Sequence, residues 1–452
     1  MGTGQIIAII GGGVSVALTA YHLVRLSTPA RIVIIEPRAE LGLGLAYSTT
    51  STQHLLNVPA GKISAIPEKP NHFLRWVRAN YDAQATAADF IPRLIFGKYI
   101  QSLLASVPAI EHLQASAVDV QIKKGDLARL TLNNGTHLLA DAVILASGNF
   151  NPAPFPGVSS EAEKNGAYRH SAWDEGTYAN LPPDAPVTLI GTGLTAVDVL
   201  LKLRESGHRG TVTAISRHGI FPSRHERYTP LSACAIQGEA PTTALALLRH
   251  IRQAIKRHGS WRAVIDSLRD RTNDLWLALP PAEQKRFRRH LLRRWEVVRH
   301  RMAPAIADRI DAELTAGTLI KEQGHVNGVV AAPEGAIVRI RTRNGETREI
   351  AAARVINCTG PDMNYRRVAS PLLNSLFQQG LATAGPLGTG LWSSSDGALR
   401  SEDGAFSRVL FTVGPARLGT LLESIAVPEL RQHAAAMAEK LTVSLYIPTF
   451  CI

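Results

Sequence analysis

The sequence predicts an α/β protein built from two parallel-sheet domains of one design, with a helical insertion. Three observations predict it. A glycine loop follows an apolar strand at Gly11–Gly13, and a second follows another apolar strand at Gly191–Gly193. Between residues 232 and 318 strand alternation gives way to helical periodicity.

The first unit runs in the order strand, tight turn, helix, strand. Residues 6–10 are apolar and mostly β-branched, Gly11, Gly12 and Gly13 make the turn, and the stretch from Ser15 to Leu26 has helical character. Glycine is needed in such a turn because a side chain would hold the backbone away from a pyrophosphate, which the helix N-terminus then attracts through its free N–H groups and positive dipole end. Ile32–Ile35 forms the next strand and ends at Glu36, 25 residues after Gly11, where a carboxylate can accept from both hydroxyls of a ribose. The third glycine of the full G-x-G-x-x-G pattern is absent, since Val16 occupies that position. The arrangement reads as a dinucleotide-binding, Rossmann-like domain.

The pattern recurs. Val187–Ile190 is a strand, Gly191-Thr192-Gly193 turns, and Leu194 to Leu203 is helical, with Leu194 and Thr195 opening the helix and Ala196 at the third small position. The strand Val212–Ile215 ends at Ser216-Arg217, and Ser216 is again 25 residues after the first glycine of its loop. The change of residue at this tip is informative. Glu36 would repel a 2′-phosphate, whereas Arg217 can pair with one bidentately. The first loop is therefore expected to hold FAD, and the second NADPH in preference to NADH.

Two apolar strands with small residues at their ends, Ala142 to Gly148 (including Ser147) and Val355 to Gly360, flank the second loop and read as crossings between the two domains. Each is preceded by an alternating segment with a turn signal, 128–135 and 338–345, which predicts small antiparallel sheets beside the main ones. Prolines at 151–157 and 181–186 mark linkers. The expected division is an FAD-binding domain at 1–180, an NADPH-binding core at 181–231, a helical insertion at 232–318, and a return through both domains at 319–452. Helices are predicted at Ala244 to His258, Trp261 to Leu279, and Pro281 to Glu313, the last broken near Pro304.

Composition narrows the class. The chain has 452 residues, too many for one ordinary domain, and 45% hydrophobic with 19% charged residues is globular. Aromatics make up only 6%, which argues against a stacking platform for single-stranded nucleic acid. The net charge of +12 and pI near 9.8 fit binding of anionic small molecules. The three cysteines, Cys234, Cys358 and Cys451, contain no C-x-x-C pair, which argues for a reducing compartment and against electron transfer through a dithiol. The N-terminal apolar run is short and broken by glycines, so a cytoplasmic protein without a membrane span is expected. No metal site is expected.

With these features in place, the chain resembles the FAD/NAD(P)-binding flavoproteins related to flavin-dependent N-hydroxylating and Baeyer–Villiger monooxygenases. The resemblance rests on Gly11 to Ala17, Gly44 to Tyr47, Leu55 to Ala60, Pro92-Arg93 with Gly97 to Tyr99, Gly191 to Asp198, Arg299 to Arg301, Asn357 to Pro361, and Gly414-Pro415 followed by Glu423 to Glu429. Val16 departs from it. The resemblance implies that Asn57 and Pro59 lie near the isoalloxazine; Tyr47, in a matching stretch, is a further cofactor-binding candidate, and Asn57 and His54 are the candidates for catalytic support near the flavin. It also implies that Gly414, Pro415 and a helix from about Leu418, including Leu421, carry the pyrimidine edge, where a helix N-terminus would stabilise the anion of reduced flavin. The activity it implies is NADPH-driven use of dioxygen through a C4a-hydroperoxyflavin, N-hydroxylating a small amine or amino acid.

The run Arg286, Arg288, Arg289, Arg293, Arg294, Arg299, Arg301 has two readings. One is a solvated basic face. The other is a clamp for an anionic substrate, formed by Arg294, Arg299, His300 and Arg301 with Arg224 and His225. A nucleic-acid role lacks interleaved aromatics and a recognised module, and ranks last. Two rivals to the monooxygenase stand beside it: an NADPH-dependent flavin reductase or oxidase, and a non-catalytic redox-sensing flavoprotein.

Overall fold

The computed structural model describes residues 4–446 and shows two parallel-cored sheets. The first has six strands in the spatial order Ala398–Arg400, Phe406–Thr412, Ala142–Leu145, Gln5–Ile10, Ala30–Ile35 and Ile110–Leu113. The second has seven, in the order Thr347–Ala352, Gly335–Thr342, Leu319–Ala332, Val212–Ser216, Val187–Ile190, Arg354–Asn357 and Tyr168–Arg169. A separate three-stranded antiparallel sheet (Ala117–Lys123, Leu127–Leu132, His137–Ala140) covers part of the first.

Alternation explains why the first sheet is buried on both faces. Ile7 and Ile9 point into a cluster with Val16, Ala20 and Leu23 of the helix Val14–Arg25, and with Met437, Ala438 and Leu441 of the helix Val427–Tyr446. Ala8 and Ile10, one residue out of phase, point to the other side, against Val120 and Leu130 of the small sheet and Leu373 and Leu376 of the helix Pro371–Gln378. A strand apolar at every position is what a doubly covered parallel sheet requires.

The two sheets repeat one local design. The Gly11 N–H donates to Ile35 O at 3.0 Å, and the Gly191 N–H to Ile215 O at 2.7 Å. The Ala146 N–H donates to Ile10 O, and the Cys358 N–H to Ile190 O, both at 2.9 Å. Each glycine loop is thus wedged between the two strands that flank its own.

Several expectations change. The strand after Ala353 pairs with Val187–Ile190, so it belongs to the second sheet, and the chain re-enters the first sheet only at Ala398. The antiparallel segment around 335–352 is not a separate sheet, because Leu319–Ala332 is long enough to pair parallel with Val212–Ser216 at one end and antiparallel with Gly335–Thr342 at the other. No regular helix starts near Leu418: residues Gly414–Gly419 form a short 3-10 turn, and the helix begins at Val427.

The insertion is helical as expected, and Ala244–His258 is one helix capped by Thr243. The next two predicted helices are each divided, into Trp261–Ser267 and Thr272–Leu277, and into Pro281–His290, Leu292–Arg299 and Pro304–Thr315. They surround their own core of Leu247, Ile265, Leu268, Trp276, Phe287 and Trp295. Among the described residues no helix is long and apolar enough to cross a membrane, and no group of three or more His, Cys, Asp or Glu is placed to hold a metal. Cys451 lies outside the described residues.

Candidate functional site

The first glycine loop is shaped by close backbone contacts. Gly11 has φ +123°, and a Cβ there would lie 2.3 Å from Ala146 O. A Cβ on Gly12 would lie 2.5 Å from Cγ of Glu36, which places the carboxylate beside the loop. Glu36 is 4% exposed, and its Oε1 accepts from Arg38 Nε at 2.6 Å. The helix beyond begins at Gly13 without a side-chain cap, whereas Ser159, Thr243, Ser260 and Ser370 each cap another helix of this chain. The uncapped N–H groups leave an anion site open.

The C-terminal crossing closes over this loop. Gly414 adopts φ +84°, and a Cβ there would lie 2.7 Å from Ser15 Oγ. The Ser424 hydroxyl donates to Gly414 O at 2.7 Å and pins the turn. Gly414 and Pro415 thus stand at the start of the first helix, where the resemblance expects the flavin to be held. Leu421 is buried, but its segment faces the insertion: Trp276 Nε1 donates to Thr420 O at 3.0 Å. Ser147 and Gly148 follow the strand Ala142–Leu145, and Gly148 has φ +71° with open space where a Cβ would stand.

Val16 is accommodated without displacing the turn. It is 1% exposed, packs with Ile7, Ile9 and Ile144, and its methyl lies 3.4 Å from the Cβ position of Gly11. The valine fills the space between helix and strand that a glycine would leave.

The second loop copies the first. Gly191 has φ +125° and a Cβ there would lie 2.6 Å from Cys358 O. Gly193 starts the helix Leu194–Glu205, again without a side-chain cap, and a Cβ on it would meet nothing within 4 Å. Ser216 Oγ lies 2.8 Å from Thr192 Oγ1 and accepts from the Gly219 N–H at 3.0 Å, so the strand tip is tied to the loop. Arg217 is exposed beside it. Arg293 Nη2 donates to Thr192 O and Ile220 O, which brings the insertion onto this loop.

A cleft of about 690 Å3 runs from this loop to the first domain. Its walls carry Gly191, Gly193, Leu194, Thr195, Ser216, Arg217 and Gly360 from the second unit's loop, strand tip and crossing, and Tyr47, Asn57 and Ile425–Val427 from segments of the first. A second cavity of about 260 Å3, lined by His54, Trp173 and Asn357 among others, shares Tyr47, Asn57, Leu194, Thr195 and Gly360 with it. Tyr47 packs on Phe96, and burial pushes its phenol up to about 12. Pro59 precedes a 3-10 turn and is on neither wall.

His54 is 3% exposed, with Nδ1 2.7 Å from Thr49 Oγ1 and Nε2 3.0 Å from Asp198 O. Both ring nitrogens are engaged by protein, so His54 bridges the two units, and its ring lines the smaller cavity next to Asn57. The same helix is held by Arg93, which forms a two-point ion pair with Asp198. Asn57 is held through its backbone: its carbonyl accepts from His225 Nε2 at 3.0 Å. Burial, reinforced by Arg301, lowers His225 to about 4, so the ring is neutral.

The expected arginine clamp is not assembled. Arg299 is 7% exposed and pairs with Glu429 at 3.1 Å and Glu423 at 3.6 Å. Arg301 is 2% exposed, pairs with Asp266, and has its guanidinium 5.8 Å from the Trp261 ring centroid. Both are internal ties, because a buried guanidinium must keep its carboxylate. Arg224 pairs with Asp308 on the surface, and Arg294 lines a different cavity with Arg217. His300 lines the main cleft, and burial lowers its pKa. Sequence reasoning named Thr192 within the loop and Arg293 within the arginine run without singling either out for the site, and it missed Glu296; all three are on the cleft wall, where their neighbours come from distant parts of the chain.

The donors present fit two dinucleotides: two glycine-bounded helix N-termini with free N–H groups, a buried carboxylate at one strand tip, and a hydroxyl beside a cation at the other. Comparison with known proteins agrees. Residues 8–150 match the FAD-NAD(P)-binding family. The uncharacterized protein YdhS of Escherichia coli K12 is 23% identical over 263 residues, 50% of this chain and 47% of that protein, so the match spans about half the length of that relative. Among solved structures, ornithine hydroxylase PvdA of Pseudomonas aeruginosa matches 98% of this chain and 99% of its own, at 16% identity and TM-score 0.64. Ornithine N-hydroxylase KtzI of Kutzneria sp. 744, solved with reduced FAD, NADP+ and L-ornithine, matches 98% of this chain and 100% of its own, at 13% and 0.64. Bacillithiol disulfide reductase YpdA of Bacillus cereus matches 97% and 99%, at 16% and 0.56. Residues 8–150 therefore form an FAD/NAD(P)-binding unit, on a chain that carries over almost its whole length the fold of the flavin-dependent N-hydroxylases.

Proposed function

We propose that this chain is an FAD-dependent, NADPH-using monooxygenase that N-hydroxylates a small amine or amino acid. The observation that carries the reading is the cleft of about 690 Å3, which links the second glycine loop to Asn57 and to Ile425–Val427. A nicotinamide laid along it from Gly193 would end beside the wall that holds Asn57.

FAD, when bound, supplies hydride acceptance from the nicotinamide and electron delivery to dioxygen. The chain's own residues bind and enclose. The N–H groups after Gly13 and Gly193 face the two pyrophosphates. Glu36 accepts from the ribose of FAD. Ser216 and Arg217 receive the ribose end of NADPH. His225, neutral and buried, holds the backbone of Asn57 in place. The insertion, tied to the C-terminal helix by the Arg299–Glu429 pair, contributes Arg293, Glu296 and His300 to the wall of the cleft, which narrows the access of water to the reacting atoms.

The full-length likeness to a bacillithiol disulfide reductase supports a second reading, an NADPH-dependent flavin oxidoreductase that inserts no oxygen. A dithiol mechanism has little support here: Cys358 is buried, with its thiol pushed far above the ordinary range by desolvation, and Cys234 lies on the insertion side, against the cluster around Trp276. The test is NADPH-dependent oxygen uptake with a panel of ornithine, lysine and cadaverine, read by mass spectrometry. A product heavier by one oxygen supports the monooxygenase. Peroxide formed in step with NADPH loss, and no oxygenated product from any amine, replaces it with the second reading.

A further inference from the structure

Beyond the tip of Ser216 lies a third cavity, of about 710 Å3, that continues from the main cleft through the shared residues Arg217, Gly324 and His325. Its wall carries Arg217, His218, Arg294, His325, Arg341 and Arg343, and no carboxylate. The residues come from three elements that the chain order keeps apart: the end of the strand Val212–Ser216, the helix Leu292–Arg299, and the hairpin formed by Leu319–Ala332 and Gly335–Thr342. His325 stands opposite Arg341 in the hairpin register, so the two side chains share a face.

The pattern of pairing on these elements is selective. Arg339, two residues before Arg341, is matched by Glu349, and Arg348 by Glu322. Arg293, next to Arg294, has Glu296. Arg341 is opposite Thr347 on its other side. Among the described residues, Arg217, Arg294, Arg341 and Arg343 have no carboxylate within ion-pair distance. Like charges gathered without counter-charges repel, and a fold keeps such a group where a ligand supplies the missing anion.

We propose that Arg341 and Arg343, with Arg217, Arg294 and His325, form the pocket for a phosphate monoester carried on the adenosine ribose of the nicotinamide nucleotide, so that the hairpin of the second sheet selects NADPH over NADH. The proposal rests on the reading of the second glycine loop given above. The hairpin explains a feature that the glycine loop does not: a strand tip with one arginine would discriminate weakly in salt, because a single exposed pair is screened. Several guanidinium groups converging on one dianion give directional, charge-assisted bonds that a bare hydroxyl cannot replace.

The experiment is isothermal titration of the purified, flavin-loaded protein with adenosine 2′,5′-bisphosphate and with 5′-AMP, alongside NADPH and NADH. The variants are Arg341→Ala with Arg343→Ala, and Arg339→Ala as a control, all at exposed positions where truncation costs little stability. The double variant is expected to weaken the bisphosphate and NADPH about tenfold or more, and to leave 5′-AMP and NADH nearly unchanged. The control should keep wild-type selectivity. Wild-type preference for NADPH that the double variant retains in full would overturn the pocket assignment alone. Wild-type protein that binds neither NADPH nor NADH would overturn the nicotinamide reading itself. Inorganic phosphate that binds in this pocket without competing with NADPH would overturn the nucleotide as its source.

Discussion

Arg93 and Asp198 join the two nucleotide-binding units: Nη1 lies 2.6 Å from Oδ2, Nη2 lies 3.1 Å from Oδ1, and the side chains are only 17% and 7% exposed. Asp198 sits on the helix that starts at Gly193, and Arg93 opens the helix that packs beneath Tyr47. The pair therefore sets the spacing between the second glycine loop and the wall around Asn57.

Removing one partner leaves a buried charge unmatched. Arg93→Ala is expected to lower unfolding free energy by about 3 kcal/mol. The double change to Ala at both positions should cost less than the two single changes added together. Urea unfolding followed by fluorescence reads this, and strictly additive losses would mean that the pair is not coupled.

The two loop glycines should fail in different ways. Gly193 has φ −82° and free space at its Cβ position, so Gly193→Val is expected to fold, to keep a yellow flavin, and to lose NADPH. Gly11 has φ +123° and its Cβ would strike Ala146 O, so Gly11→Ala should destabilise the first unit and release flavin together. Flavin absorbance after gel filtration separates the outcomes. A Gly193→Val protein that binds NADPH normally would remove the second loop from the site.

Restoring the missing third glycine should do harm. Val16 is 1% exposed within the cluster around Ile9 and Ile144. Val16→Gly opens a cavity and adds helix-interior backbone freedom, for a loss of about 2–3 kcal/mol. Thermal denaturation checks this, and a variant as stable as wild type would mean that the valine contributes no packing.

The neutral state of His225 predicts an acid-side loss of stability. Its folded pKa, about 4, is below the value of 6.5 for a free imidazole, so between these two the unfolded chain binds more protons. Stability should be constant from this source above about pH 6.5, fall as pH drops toward 4, and level off below. Desolvation of the buried ring sets most of the size, with Arg301 and Lys62 acting in the same direction and the Asn57 hydrogen bond and Asp266 opposing, on the order of 3 kcal/mol at most. His225→Gln keeps a donor for Asn57 O and cannot titrate. Unfolding midpoints at pH 7 and pH 4.5 should differ less in that variant than in wild type, and an equal difference would assign the acid sensitivity to other groups.

Much of the architecture was readable because it is local. A run such as Ile6–Ile10 followed by Gly11–Gly13 specifies strand, turn and helix within one short window, and Glu36 and Ser216 fall at matching distances from their loops because the same strand–turn–helix–strand path is repeated. The sequence by itself determined the two glycine loops, their different strand tips, and the helical character of 244–315. Only the tertiary structure decided what the arginines do. Arg299 meets Glu429 across 130 positions and Arg301 meets Asp266 across 35, so their burial depends on contacts that no window of sequence contains. The same holds for Arg341 and Arg343, which look like a solvated strand edge until the long hairpin folds them beside Arg217. Charge is visible in a sequence, but whether a charge is matched from within the chain or left to face a ligand is settled by packing.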